Sequence, residues 1–308
     1  MQSIRPGGKG TTVTPEKALK ILTSGYTPIR KGSKKLVLKN FDQLAQISDL
    51  SLGSEVTIRG SLTHVSKQRG ADLDIHFDLA PPAGKRFVVC EIQNADNAQH
   101  GQPLLDALEA GATVEVTGVL RIFPEHVYAS AGPSLAHIFE IHPIREVKID
   151  GTPLAGITMD CPDHENFATQ ESMREIEVLD DGSMRRLPSQ RRLSDNVEVE
   201  FDGTDLTMTK PPFLNVNYIF GSFYISFPNT QFQEGQPFIF ESRGSSDPKP
   251  VPVKSVVIPD TPAYKTVKDL LNNPPKGRVT VAALRSLDFQ QLMNNIYEIV
   301  FCPVFRVE

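Results

Sequence analysis

The chain has 308 residues, enough for two domains with separate cores, and its apolar and charged fractions (39% and 22%) are those of a globular protein. No apolar run approaches the roughly 20 residues that span a bilayer, and the N-terminus lacks the apolar segment of a signal peptide, so we expect a cytoplasmic protein with no membrane contact. The three cysteines are odd in number and far apart, which excludes a disulfide framework and fits a reducing compartment.

Positive charge is concentrated at the N-terminus. Residues 1–40 contain nine Lys or Arg and a single acid, Glu16, which gives +8, while the whole chain carries −5. The remainder therefore carries −13, the difference between these two values. A basic arm on an acidic body favours contact between the arm and nucleic acid, and it equally allows the arm to pair with the body.

Two elements are predicted in this arm. The stretch "TPEKALKILTSG" (14–25) has Thr14 as N-cap, Pro15 at the first helical position and Gly25 as a stop, so it predicts a short helix. The stretch "IRKGSKKLVLKN" (29–40) predicts an edge strand that is rich in basic residues. Its candidate phosphate-contacting residues are Arg30, Lys31, Lys34 and Lys35.

The next elements form the first copy of an internal repeat. In chain order the sequence predicts a strand, a hairpin, a short helix and two further strands, at 56–66, 73–92, 102–111, 113–123 and 138–144. The helix ends at Gly111, a sensible stop.

The same order of elements returns about 160 residues later. The second copy is predicted at 217–227, 238–257, 264–273, 278–287 and 297–304. Both first strands are centred on Gly-Ser, at Gly60 and Gly221, and both last strands contain a proline followed by a β-branched residue. Five elements in one order, found twice, indicate a duplicated fold.

Five strands with a helix between the third and fourth resemble the OB-fold, a small Greek-key barrel. The resemblance is one of topology and covers about 54–150 and 215–308. It implies a mainly β protein with two OB-like five-stranded barrels in tandem and a few small helices. OB-folds bind single-stranded nucleic acid or oligosaccharide through the face of strands 2 and 3 and the adjoining loops, and many serve as protein-interaction modules.

We therefore divide the chain into four parts. They are a basic N-terminal arm with a short helix (1–53), a first OB-like domain (54–150), a polar linker that ends in a predicted hairpin (151–214) and a second OB-like domain (215–308).

Aromatic residues mark one face of the first strand in the second copy. Strand alternation places Tyr218, Phe220 and Tyr224 on the same side, opposite an aliphatic face that is predicted to be core. If exposed, they form a stacking platform worth ~1–3 kcal/mol per base; the alternative is that they pack against another part of the chain. The equivalent face of the first copy is polar, with Arg59 as a further candidate contact.

The second strand of the first copy presents a row of acids and an imidazole. Asp72, Asp74, His76 and Asp78 are predicted to point outward, where they would repel phosphates. Their residue types suit a divalent metal, but neighbours two apart on a strand lie about 6.5–7 Å from each other, so three in a row cannot share one ion. We expect a solvated polar face and no metal.

Two further places carry reactive residue types. The loop "DCPDHE" (160–165) contains Cys161, which is expected to be the most accessible thiol because the other two lie on predicted strands. In "AHIFEIHPIREVKI" (136–149), His137 and His142 are an odd number of residues apart and are expected on opposite faces, while Glu140 and His142 share a face. We predict no catalytic residues and no cofactor, because the chain lacks phosphate-loop, nucleophile-elbow and zinc-protease motifs.

The hypothesis we favour is a non-enzymatic protein that binds single-stranded nucleic acid through the barrels and the basic arm. The alternative is a protein-interaction or assembly module, which includes self-association. The third is a metal-dependent enzyme that uses Asp74, His76 and His142 or the 160–165 loop.

Overall fold

A computed structural model describes residues 13–24, 26–27, 35–48, 50–70, 72–82, 84, 86–125, 137–163, 176–178, 184–186, 197–209, 218–228, 232–244 and 252–308. Arg30, Lys31 and Lys34 lie outside these ranges. Within the described part, no helix has the length and apolar character needed to cross a membrane.

The N-terminal part begins with a helix that packs on the rest of the chain. Its elements are α1 (Pro15–Ser24), β1 (Tyr26–Thr27), β2 (Lys35–Leu38), a 3-10 turn (Phe41–Leu44) and α2 (Ala45–Ser48). As predicted, the Thr14 hydroxyl caps α1 by accepting a hydrogen bond from the Lys17 backbone N–H at 3.3 Å. Leu19 and Leu22 bury the inner face of the helix.

The first barrel follows directly. Its elements are β3 (Glu55–Val65), β4 (Ile75–Ala80), β5 (Val88–Ile92), a π-helical turn (Asn97–Gly101), α3 (Gln102–Ala110), β6 (Thr113–Glu125), β7 (His137–Ile149) and a short β8 (Thr152–Pro153). The strands pair in the order β3-β4-β5-β7-β6, and β6 closes onto β3. The pairing of β5 with β7 is parallel and the others are antiparallel. We refer to these five strands as barrel 1.

Four short strands and a second barrel complete the chain. They are β9 (Ile176–Val178), β10 (Met184–Arg186), β11 (Glu198–Phe201), β12 (Leu206–Thr209), β13 (Tyr218–Ser226), β14 (Phe238–Arg243), β15 (Val253–Val257), α4 (Pro262–Asn272), β16 (Val279–Leu287), α5 (Phe289–Met293) and β17 (Ile299–Val307). The closed barrel β13-β14-β15-β17-β16 repeats the pairing order of barrel 1, including one parallel pair, β15 with β17. We refer to it as barrel 2.

Both barrels therefore have the OB-fold topology, in which a bent first strand pairs with the second strand at one end and with the fourth at the other. In barrel 1, β3 changes partner at Ser61, which faces both Ala80 of β4 and Thr113 of β6. A Cβ at Gly60 would overlap the carbonyl oxygen of Ala80. The Gly-Ser pair that reveals the repeat thus lies where the barrel requires a small residue. A helix follows the third strand in each copy: α3 buries Leu104 in barrel 1 and α4 buries Val267 in barrel 2.

The described strands of the basic arm, β1 and β2, belong to a small sheet. β2 lies inside a four-stranded sheet of order β1-β2-β12-β11, rather than at an edge as predicted, and the hairpin expected near the end of the linker supplies β11 and β12. Lys39, which follows β2, forms an ion pair with Asp205. At this point the arm pairs with the acidic body.

The last strand of each barrel contains an irregular stretch at a proline. The peptide bonds before Pro143 and Pro303 are both cis. Pairing of β7 with β6 continues past Pro143, from Ile141 opposite Leu120 to Ile144 opposite Gly118, with register shifts in between. The prolines therefore mark a bulge and not the end of the strand.

Apolar side chains join the two barrels along a seam. One cluster combines Val119 of barrel 1 with Val256, Val300 and Cys302 of barrel 2. At the edge of the seam, Arg145 of β7 forms an ion pair with Asp260 at 2.5 Å. The barrels are thus packed against each other through buried surface.

We predict that Gly118→Ala destabilises the protein by about 1–3 kcal/mol, the usual cost of overpacking. An added Cβ would lie 2.5 Å from the carbonyl oxygen of Pro143 and 2.7 Å from the Ile141 side chain. The free energy of unfolding from urea titration measures the change. Gly277→Ala is the control, because nothing lies within 4 Å of its added Cβ; equal effects of the two substitutions would contradict the prediction.

Candidate functional site

The acidic row on barrel 1 is not the solvated face that the sequence indicates. Asp74 is 0% exposed and Asp78 is 8% exposed, and His76 is only partly accessible. Asp74 is covered by barrel 2, because the Tyr218 hydroxyl of β13 donates a hydrogen bond to its Oδ2 at 2.7 Å. The alternation along this strand is as predicted, but at Asp74 the outward face meets a second barrel instead of water.

His142 lies at the centre of a buried polar cluster. Its Nδ1 is 2.7 Å from Glu140 Oε1 and 3.0 Å from Glu91 Oε2. Its Nε2 is 3.0 Å from the Tyr218 hydroxyl and 3.3 Å from Asp74 Oδ2. All five side chains are at most 1% exposed. We refer to these residues, together with Arg121, as the seam network.

Arg121 supplies the permanent positive charge of the seam network. Its Nη1 donates to Glu140 Oε2 at 2.6 Å, and its Nε donates to the backbone carbonyl of Arg285 in barrel 2 at 2.5 Å. Its side chain is 0% exposed and stacks on Phe123, with 4.8 Å between the guanidinium carbon and the ring centroid. A cation buried this deeply requires an acidic partner, and Glu140 is that partner.

Burial and nearby positive charge shift the pKa values of the buried acids in opposite directions. Burial raises the pKa of Asp74 to about 6 despite the nearby imidazole, and burial raises the pKa of Asp78 to about 7. For Glu140, burial acts in the same direction, but the charge of Arg121 and the hydrogen bonds from histidines hold its pKa well below the ordinary value. Burial disfavours charge on His142, yet Glu91 and hydrogen bonds to carboxylates raise its pKa well above the ordinary value.

The cluster suits a charged imidazole better than a metal ion. Asp74, Glu91 and His142 each bring one donor atom within 4.8 Å of the others. A metal needs ligand atoms that converge on one point about 2.0–2.2 Å from each. Here Asp74 lies beside Nε2 and Glu91 beside Nδ1, so the carboxylates lie on both sides of the ring. His76, the third residue of the metal hypothesis, instead approaches Glu91 at 3.4 Å.

The bulge in β7 changes how its histidines are arranged. His137 and His142 were expected on opposite faces, yet both approach Glu140, His137 through Nε2 at 3.5 Å. Irregular pairing between Ile122 and Glu125 of β6 allows this. The expectation that Glu140 and His142 share a face is confirmed, because the two side chains lie 2.7 Å apart.

Two members of the seam network, Glu91 and Arg121, were not predicted from the sequence. Glu91 and Arg121 each stand alone in an apolar strand, in "VVCEI" and "GVLRIF". A single charged residue among apolar neighbours is the signal that could have found them, since such a residue is rarely buried without a partner.

The three candidate stacking residues lie in three different environments. Tyr218 is 1% exposed within the seam network, so for this residue the alternative of packing against another part of the chain is what the structure shows. Phe220 is half-buried against a cluster that contains Phe305. Tyr224 is 47% exposed, and the guanidinium carbon of Arg278 lies 5.3 Å from its ring centroid. They therefore do not form one continuous platform.

The basic residues predicted to contact phosphate also lie in different environments. Arg59 is engaged by two carboxylates, at 3.2 Å with Glu16 of α1 and in a closer ion pair with Glu115 of β6. Lys35 is exposed at the start of β2. The remaining basic candidates of the arm lie outside the described residues.

The described part of the 160–165 loop, residues 160–163, is bonded to barrel 2 and forms no open reactive site. Cys161 is 0% exposed, contrary to the expected accessibility, and burial raises the pKa of its thiol. Arg306 of β17 donates to Asp160 at 3.1 Å, to Asp163 at 3.0 Å and to the Cys161 carbonyl at 2.9 Å. These contacts tie the linker to barrel 2.

Comparison with known proteins adds little to this geometry. No family model and no curated protein match the chain. Among solved structures, the chain is similar to Entamoeba histolytica asparaginyl-tRNA synthetase, at 15% identity with a TM-score of 0.22, and to the same enzyme in complex with asparaginyl-adenylate, at 12% identity with a TM-score of 0.21. Each match covers 63% of this chain and 51% of the synthetase, about half its length. Likeness at this level assigns neither an activity nor a ligand. Strand order and helix placement define the chain as a tandem OB-like barrel protein.

We predict that Arg121→Met destabilises the protein by about 3–5 kcal/mol, because it removes the permanent cation that is paired with the buried carboxylate of Glu140. Arg59→Met is the matched control and should cost less than about 1 kcal/mol, since its ion pairs are exposed. Urea titration at neutral pH compares the two variants. Equal costs would show that Glu140 is not desolvated.

We predict that stability falls as the pH rises toward 7, partly through Asp78. Its pKa in the folded protein, about 7, is above its ordinary value of 3.8, so the folded state binds the proton more tightly. Stabilisation is therefore present at low pH and lost on approach to pH 7. Between about pH 5 and pH 7 the wild type should lose up to ~1.4 kcal/mol per pH unit more than Asp78→Asn. Parallel pH profiles from urea titrations would contradict this assignment.

Proposed function

We propose that this protein is a non-enzymatic binding protein that holds single-stranded nucleic acid on barrel 2. The observation that carries the proposal is the exposed ring of Tyr224 beneath the guanidinium of Arg278. Tyr224 and Ile296 are the two large apolar side chains that are exposed in the described part of the chain. An accessible aromatic ring beside a cation is suited to stacking a base and contacting its phosphate.

The surroundings of Tyr224 support this proposal. Arg243 of β14 is exposed and is the cross-strand partner of Tyr224 in the antiparallel pair, so a second arginine lies on the same face of the sheet. Lys276, also exposed, precedes Arg278 in the loop before β16. The nearest opposing charge on this strand pair is Glu241, which accepts a hydrogen bond from Ser226 at 3.3 Å. We refer to Tyr224, Arg243 and Arg278 as the stacking surface.

The location of the stacking surface also fits the fold. Tyr224 lies near the end of the first strand of barrel 2, where that strand pairs with the second strand and enters the loop between them. OB-folds bind oligonucleotides around this loop and the neighbouring strands. In barrel 1 the position that corresponds through the Gly-Ser pair is Thr63, which offers no ring. Barrel 2 is therefore the better supported binding unit.

We predict that Tyr224→Ala weakens binding to oligo-dT and oligo-U by about 5- to 150-fold, equivalent to ~1–3 kcal/mol for one stacked base. Arg278→Ala should weaken it and reduce the salt dependence by about 0.7 in the slope of log K against log salt, the contribution of one phosphate contact on a single strand. Fluorescence anisotropy at low and moderate salt measures both effects.

Ile296→Ala is the control, because Ile296 is 49% exposed and lies away from the stacking surface, in the turn that follows α5. Absence of oligonucleotide binding at tens of micromolar protein in low salt rejects the proposal. If the protein instead shows a concentration-dependent mass that Tyr224→Ala abolishes, the surface serves protein association.

A further inference from the structure

Polar contacts across the seam converge on one histidine. The Tyr218 hydroxyl of barrel 2 donates to Asp74 of barrel 1 and lies 3.0 Å from His142 Nε2. Arg121 of barrel 1 donates to the carbonyl of Arg285 in barrel 2, and Ile122 N–H donates to the Ser286 hydroxyl at 3.4 Å. His142 and Arg121 are joined through Glu140. The two barrels therefore share one hydrogen-bonded network.

The hydrogen-bond directions require both ring nitrogens of His142 to carry a proton. Because Tyr218 gives its proton to Asp74, its oxygen accepts, and Nε2 must donate to it. On the other side of the ring, Nδ1 faces the carboxylate of Glu140 at 2.7 Å and must also donate. A neutral imidazole has only one N–H and would lose one of these bonds. The geometry thus describes an imidazolium.

The charges around the ring lead to the same conclusion. Asp74, Glu91 and Glu140 are acidic, and Arg121 offsets one of their three charges. Protonated His142 offsets a second, which leaves one net negative charge, whereas neutral His142 leaves two in a volume closed to water. Buried like charges at this spacing repel strongly because little solvent screens them.

Other titratable groups face this cluster from neighbouring elements. On barrel 1 they are Asp72, His76 at 3.4 Å from Glu91, and His137 at 3.5 Å from Glu140. From the linker, Cys161 lies near Tyr218. His142 is placed between the barrels by two contacts, one with Glu140 of barrel 1 and one with Tyr218 of barrel 2.

We propose that protonated His142 is a pH-sensitive lock that holds the two barrels together, and that loss of its proton opens the seam while each barrel stays folded. The lock is independent of the proposed nucleic-acid binding. The pKa of His142 is raised in the folded protein, so its stabilising effect is present at neutral pH and is lost as the pH rises through that raised value. The second copy of the repeat has Cys302 where the first has His142, so the lock belongs to barrel 1 alone.

Two buried cysteines report on opening of the seam. Cys302 packs against Val119 across the seam, and burial raises the pKa of its thiol to about 12, so it reacts slowly while the seam is closed. Cys90 is 0% exposed in the core cluster of barrel 1 and reports unfolding of that barrel. Mass spectrometry of iodoacetamide-labelled peptides gives both rates in one sample.

We expect Cys302 to label about tenfold or more faster in His142→Gln than in the wild type at neutral pH, because the Gln side chain carries no charge. A tenfold change in the opening equilibrium corresponds to a difference of about one unit between the pKa of His142 in the closed and the open state. Cys90 should stay protected. His64→Gln is the matched control, because His64 lies on β3 with a 56% exposed side chain. If Cys302 in folded His142→Gln labels at the wild-type rate, the lock does not exist.

The wild type supplies a second test that does not depend on folding of the variant. Labelling rates between neutral pH and about pH 10 are divided by those of urea-unfolded protein at the same pH, which removes the intrinsic effect of thiolate formation. The lock predicts that the normalised rate of Cys302 rises while that of Cys90 stays low. A rise of both together means global unfolding and overturns the proposal, as does a constant rate at Cys302.

Discussion

The arrangement of the two barrels depends on how a buried imidazole and a buried guanidinium balance three carboxylates. His142 and Arg121 come from neighbouring strands of barrel 1, and Glu140 lies between them. Each polar atom in such a place must find a partner, because water cannot supply one. Barrel 2 completes the set by offering the Tyr218 hydroxyl and the Arg285 carbonyl. Separation of the barrels would remove both partners at once.

The two copies of the repeat have diverged on the face where they meet. The residue before the cis-proline is His142 in barrel 1 and Cys302 in barrel 2, and the residue two places earlier is Glu140 or Val300. At these two positions barrel 2 thus has apolar side chains, while barrel 1 has ionisable ones. Such asymmetry favours pairing of unlike faces within one chain, since a second copy of the charged face offers neither the Tyr218 hydroxyl nor the Arg285 carbonyl.

The seam network consists of buried residues, and the stacking surface consists of exposed ones. Tyr218 and Tyr224 lie on one strand six residues apart, yet one is sealed in the seam and the other is open to solvent. The same aromatic face therefore joins the barrels at one end and supports the proposed binding of nucleic acid at the other. Ion pairs on barrel 1, such as that of Arg59 with Glu16, occupy cations that would otherwise be available to phosphates.

Sequence by itself determined the local elements and their order. Strand alternation, helix stops at Gly111 and after Asn273, and the paired Gly-Ser units were sufficient to indicate two OB-like barrels, because these signals are local and the duplication showed each of them twice. Tertiary structure alone decided which outward faces meet water. Asp74 was expected to face solvent, and for Tyr218 the sequence left exposure and packing open. A contact between positions 144 residues apart made them partners in one network. Alternation shows that a residue points away from its own core, and it contains no information about what lies on the other side.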